Sequence, residues 1–163
     1  MIKKLFLILL FLNFATNSYS AGSDSNSTMS KVKSDYDKAV ESIKFAKKFE
    51  KKGKIKKAMK RYTKAKKLLL KSNNKKPNQA DTLNYLGFTT RKLGDYENGE
   101  KYYLLGLKID PNHNGINEYL GELYVATNRM DLAKERLKVL ENCSCEEYTE
   151  LKQVIYGSKQ SKY

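Results

Sequence analysis

"ADTLNYLGFTTRKLGDYENGEKYYLLGLKIDPNH", residues 80–113, is the stretch that decides how this chain folds. Leu83, Leu86, Thr90 and Leu93 recur at i, i+3, i+7 and i+10, which places them on one stripe of a helix. A break at Leu93-Gly94-Asp95 is followed by a second helical run, which Asp110-Pro111-Asn112 closes. The stretch therefore reads as a helical hairpin. Its pattern returns 34 residues later: Leu86-Gly87-x-x-Thr90 becomes Leu120-Gly121-x-x-Tyr124. At the same offset Leu93-Gly94 answers Thr127-Asn128, Gly99 answers Ala133, Tyr103 answers Leu137 and Gly106 answers Leu140. A weaker copy stands 41 residues upstream in Phe45-Ala46-x-x-Phe49, Gly53, Ala58, Tyr62 and Ala65, so "NNKKPNQ" (73–79) is expected to lengthen the first inter-repeat loop.

A 34-residue helix–turn–helix period with an L-G-x-x-Y, A-x-x-x-F and P signature resembles the tetratricopeptide repeat family. The resemblance implies an all-α solenoid of three hairpins, at about 39–72, 80–113 and 114–147, closed by a capping helix at about 145–157. Small residues at Gly87, Gly121, Ala58 and Ala133 fit where two helices approach closely, and three stacked repeats suffice to bury a continuous core. Gly99 and Gly106 inside a helix point to close helix contact or to local looseness.

The flanks read differently. Lys3 and Lys4 precede an apolar run from Leu5 to Phe14, and Ser18-Tyr19-Ser20-Ala21 offers small residues for cleavage after Ser20. Residues 1–20 thus have the layout of a secretory signal peptide, so the chain is expected to be exported, and periplasmic in a Gram-negative bacterium. The apolar run is too short to span a bilayer, which needs roughly 20 residues. Residues 21–34, "AGSDSNSTMSKVKS", are expected to form a flexible polar tether, and 158–163 a disordered tail.

Catalysis finds no support. His113 is the only histidine, in the "DPNHNG" connection, where a solvated loop residue is expected. There is no Gly-rich phosphate loop and no H-E-x-x-H, so no catalytic residue, cofactor, metal or small-molecule substrate is expected. A non-enzymatic protein- or peptide-binding adaptor or assembly factor fits better. The resemblance implies that the first helix of each hairpin lines a concave groove. Carried over residue by residue, the groove positions are Ile43 and Lys47, then Asp81, Asn84, Phe88 and Arg91, then Glu118 and Glu122. Ile43, Tyr85, Gly115 and Tyr119 stand where the family's carboxylate-clamp subclass has its clamp residues, so a receptor for chaperone tails is not expected.

Charge is unevenly distributed in this chain of formal net charge +14. Residues 39–72 hold 14 Lys/Arg against Glu41 and Glu50, whereas 80–147 hold 8 basic and 12 acidic residues. Lys51, Lys52, Lys56, Lys57, Lys60, Lys64 and Lys67 form a cationic patch. Such a patch attracts anionic lipid or another polyanion, the alternative partner. Nucleic acid is not expected for an exported chain in which no aromatic platform interleaves the lysines. With 28 Lys against 4 Arg, codon bias is the rival account of the patch.

Cys143 and Cys145, the only cysteines, precede "EEYTELKQVIYG". Ser144-x-x-Glu147 fits a capping box, and Tyr148, Leu151, Val154 and Ile155 make the stripe of a cap helix. The run C-x-C-E-E-Y-x-x-L resembles the ending of small exported bacterial proteins of the same family. The thiols admit a local disulfide or structural pair, redox or intermolecular pairing, or a soft-metal contact. Thiol redox or metal handling is thus a second functional alternative.

Overall fold

A computed structural model describes residues 32–157; the expected signal peptide, the tether up to Lys31 and the tail at 158–163 lie outside them. The described residues form seven α-helices: α1 Asp35–Lys51, α2 Ile55–Lys75, α3 Ala80–Lys92, α4 Tyr96–Ile109, α5 Asn114–Ala126, α6 Met130–Val139 and α7 Glu146–Ile155. α1/α2, α3/α4 and α5/α6 pair as hairpins, and α7 packs on α5 and α6 as a cap.

Local chemistry sets the ends of these helices. Ser34 opens α1 with a capping box: its Oγ accepts the Asp37 N–H at 3.1 Å while Asp37 Oδ2 accepts the Ser34 N–H at 3.0 Å. The hairpin turns fall at equivalent places, on Gly53 (φ +65°), Gly94 (φ +92°) and Asn128 (φ +57°). Each lies in the left-handed region where a helix C-terminus reverses, at low cost for Gly and tolerable cost for Asn. That shared conformation is the physical content of the 34-residue period.

Two expectations need correcting. The seven inserted residues do not all enter the loop, because α2 runs on to Lys75 and leaves only 76–79 as the connection. Asp35 of α1 holds that extra turn, with Lys75 Nζ at 2.7 Å and Lys71 Nζ at 3.6 Å, and Pro77 then stops it. The Ser144–Glu147 capping box is absent: Ser144 sits at φ +47°, Cys145 occupies the N-cap without a side-chain hydrogen bond, and α7 starts at Glu146. A disulfide joins Cys143 to Cys145 across Ser144, so the chain reverses there instead of entering the helix.

Two clusters of buried side chains make the core. Ala39, Ile43, Tyr62, Leu69, Leu86 and Phe88 centre the first, and Tyr103, Leu120, Leu123, Leu137 and Leu151 the second. Tyr119 packs against both. Each such large side chain removed from water contributes about 1.5–3 kcal/mol. The two repeat glycines serve different neighbours. A Cβ on Gly87 would lie 2.5 Å from the Tyr103 ring within its own hairpin, whereas one on Gly121 would lie 2.6 Å from Leu151 of the cap. Gly99 and Gly106 are likewise sites of close contact, against α3 and Ile116 respectively. No helix among the described residues is long and apolar enough to cross a membrane.

Candidate binding groove

The helical phase that buries Leu83 and Leu86 turns Asp81, Asn84 and Tyr85 toward a shared concave space. This groove has a volume of about 920 Å³ and runs from the start of α1, past the α2–α3 connection, to the N-terminal turns of α3 and α5. Tyr36, Tyr85 and Tyr119 give it aromatic walls. Asp35, Asp81, Asp110, Glu118 and Glu147 line it against Lys75 and Lys76, so it is net acidic within a strongly basic chain. Burial raises the phenol pKa values of Tyr36, Tyr85 and Tyr119, which keeps their hydroxyls protonated as donors.

The residues proposed for the groove from sequence divide into two layers. Asp81 is open to it and 73% exposed at its side chain, Asn84 lines it, and Glu118 reaches it while 95% buried. Asn84 Oδ1 is buried with no hydrogen-bond partner. The other residues lie behind this surface. Ile43 is a core residue of the first hairpin. Phe88 is enclosed by Tyr62 at 5.8 Å and Tyr119 at 5.1 Å between ring centroids, with Lys47 Nζ 4.7 Å from its own. Lys47 Nζ also donates to Tyr119 Oη at 3.3 Å. Arg91 donates through Nη1 to the Tyr119 carbonyl and through Nη2 to Glu122 Oε2 at 3.3 Å. α5 covers the part of the α3 face, at Phe88 and Arg91, that the carry-over assigned to the open groove.

His113, expected as a solvated loop residue, is instead the N-cap of α5 and mostly buried. Its Nδ1 accepts the Ile116 N–H at 3.2 Å, which assigns the remaining hydrogen to Nε2, the donor to Asp81 Oδ1 at 3.0 Å. Asn117 braces the same connection, donating through Nδ2 to the carbonyls of Pro111 and His113. Nothing in the sequence distinguished this histidine from an open loop, because its partner lies 32 residues upstream.

The seven lysines of the cationic patch are all exposed, none lines the groove, and none forms a salt bridge among the described residues. A second, smaller cavity of about 270 Å³ opens where α5 meets α7, lined by Lys47, Glu118, Tyr119, Glu146, Glu147 and Glu150.

This architecture defines an all-α solenoid of helical hairpins with a concave inner face. Residues 80–113 match the tetratricopeptide repeat family model, so the chain is a tetratricopeptide-repeat-like solenoid. The first TPR domain of the human RPAP3 protein, solved by NMR, is similar in structure at 20% identity, covering 77% of this chain and 98% of that domain with a TM-score of 0.54. The first TPR of Spaghetti (RPAP3), bound to the HSP90 peptide SRMEEVD, matches at 19% identity over 78% and 97% of the two chains with a TM-score of 0.48. No curated protein matches this chain in sequence.

Proposed function

We propose that this protein is a non-enzymatic module of an exported compartment that binds an extended segment of a protein partner in its concave groove. One observation carries the reading: the groove holds Asn84 with a buried, unpartnered Oδ1 beside three protonated tyrosines. An unpaired buried acceptor is costly, and a donor from a peptide backbone relieves it. The net acidity of the walls favours a segment bearing lysine or arginine. Export rests on the amino-terminal layout of residues 1–20, and the Cys143–Cys145 disulfide accords with an oxidising compartment.

The test is a fluorescence-anisotropy screen of basic, neutral and acidic heptapeptide pools on the chain from Ala21 onward. Basic pools should bind, and Asn84→Ala and Tyr85→Ala should each weaken binding at least roughly tenfold, the loss of one buried hydrogen bond or aromatic contact. Equal binding of acidic pools, or indifference to both substitutions, sinks the reading. Compartment fractionation tests export.

The exposed, unbridged lysines of α1 and α2 favour a second reading, a peripheral contact with anionic lipid. Co-sedimentation with phosphatidylglycerol vesicles should then fall steeply with salt and vanish on Lys56→Glu/Lys60→Glu/Lys64→Glu.

A further inference from the structure

Carboxylates crowd the seam between α5 and α7. One oxygen from each of Glu118, Glu122 and Glu150 lies within 4.8 Å of the other two. Glu118 and Glu122 stand one turn apart on α5, and packing of Leu151 against Gly121 carries Glu150 of α7 to them. The adjoining cavity adds Glu146 and Glu147, with Lys47 on its wall, while Arg91 is bonded to Glu122. A second observation is independent of this crowding. Glu122 is wholly excluded from solvent, and while its Oε2 takes Arg91 Nη2, its Oε1 meets no hydrogen-bond donor. A buried carboxylate oxygen with no donor of its own favours a positive ligand beside it, because Arg91 engages only the other oxygen of the group.

We propose that Glu118, Glu122 and Glu150 hold a hard divalent cation of the calcium or manganese class. The donors are all oxygen, with no nitrogen or sulfur in the group, which selects hard ions. At the 2.3–2.6 Å bond lengths of calcium, opposed ligands stand roughly 4.6–5.2 Å apart and neighbours closer, so three oxygens within 4.8 Å suit one ion. The 270 Å³ cavity supplies room for the waters that complete its coordination. The ion ties the cap helix to the third hairpin. Glu118, Tyr119 and Glu147 line both cavities, so it also fixes one end of the groove. This inference does not depend on the peptide reading.

The experiment titrates CaCl2, MnCl2 and MgCl2 into the metal-stripped chain from Ala21 onward, followed by calorimetry and thermal unfolding. Terbium luminescence sensitised by tyrosine, with Tyr119 in the cavity wall, provides a second signal. One ion per chain should bind, with a dissociation constant in the range of about 10⁻⁶ to 10⁻³ M, and should raise the unfolding midpoint. Glu150→Gln, at the half-buried edge, should weaken binding at least roughly tenfold, as should Glu118→Gln, while exposed Glu141→Gln leaves it unchanged. Manganese should broaden the amide signals of Gly121 and Glu122 in the unmodified chain, a readout that needs no variant. No saturable binding, unaltered affinity in both Gln variants, or broadening centred elsewhere overturns the proposal. Stabilisation by acid alone, with no response to metal, also overturns it, since shared protons would then relieve the repulsion.

Discussion

Arg91 of α3 and Glu122 of α5 form an ion pair, Nη2 3.3 Å from Oε2, with both side chains fully withdrawn from solvent. The guanidinium is fixed further by the Tyr119 carbonyl, so the second and third hairpins are joined by charge as well as by apolar packing. Removing one partner strands the other in a medium that solvates it poorly. Arg91→Met should therefore destabilise the fold by about 3–5 kcal/mol. The double change Arg91→Met/Glu122→Leu should cost less than the two single changes summed. Urea unfolding of the four species checks this, and strict additivity would contradict the coupling.

Acid should loosen the first hairpin. Hydrogen bonding to Lys75, with the charge of Lys71 beside it, holds the Asp35 carboxyl below its ordinary 3.8. A depressed native value contributes stability that is fully present above about pH 4 and lost as pH falls through the lower folded value. Asp35→Asn should lower the unfolding midpoint at pH 7 and flatten its fall between about pH 4 and 2. Thermal melts across that range decide it, and an unchanged acid limb counts against the bridge.

Asp95 caps α4, its Oδ1 accepting the Asn98 N–H at 3.1 Å, and the Asn98 side chain helps to lower its pKa. Asp95→Ala should cost about 1 kcal/mol, and Asp95→Asn less, because the amide still accepts the hydrogen bond. Chemical denaturation at neutral pH distinguishes the two.

The cap depends on the missing side chain at position 121. Gly121→Val should drive Leu151 from its seat and cost about 1–3 kcal/mol, by overpacking. The loss should fall first on α7, seen as hydrogen-exchange protection vanishing from 146–155 while α1 and α2 keep theirs. Leu151→Ala in the same chain should restore part of it.

The Cys143–Cys145 disulfide closes a very short loop. Chain-entropy arguments therefore give it only about 1–2 kcal/mol. Cys143→Ser/Cys145→Ser should leave helix content intact by circular dichroism and lower the unfolding midpoint slightly. Complete unfolding would mean that the bridge does more than shape the entry to α7.

Much of the architecture is legible locally. The period that aligns Leu86-Gly87 with Leu120-Gly121 marks the hairpins, and the residues that pair as Gly94 and Asn128 mark the turns. These features rest on helical phase and on which residues tolerate positive φ, both functions of a few neighbouring positions. The same local reading failed at Ser144, where a capping pattern was present but the disulfide reversed the chain, and at 73–75, where Asp35 drew three loop residues into a helix.

The groove shows the boundary most clearly. Phase alone put Asp81, Asn84, Phe88 and Arg91 on one face of α3, but it could not say how much of that face α5 would cover. Tyr119 and Glu122 lie across Phe88 and Arg91, and leave Asp81 exposed and the largely buried Asn84 lining the groove. Likewise no spacing in the chain links Glu150 to Glu118 and Glu122, since they meet only because Leu151 seats on Gly121. The sequence by itself determined an all-α stack of three hairpins and a cap, because periodicity and turn chemistry are local. Only the tertiary structure decided which polar side chains face a ligand and which are buried partners of one another, because burial depends on helices brought together from distant parts of the chain.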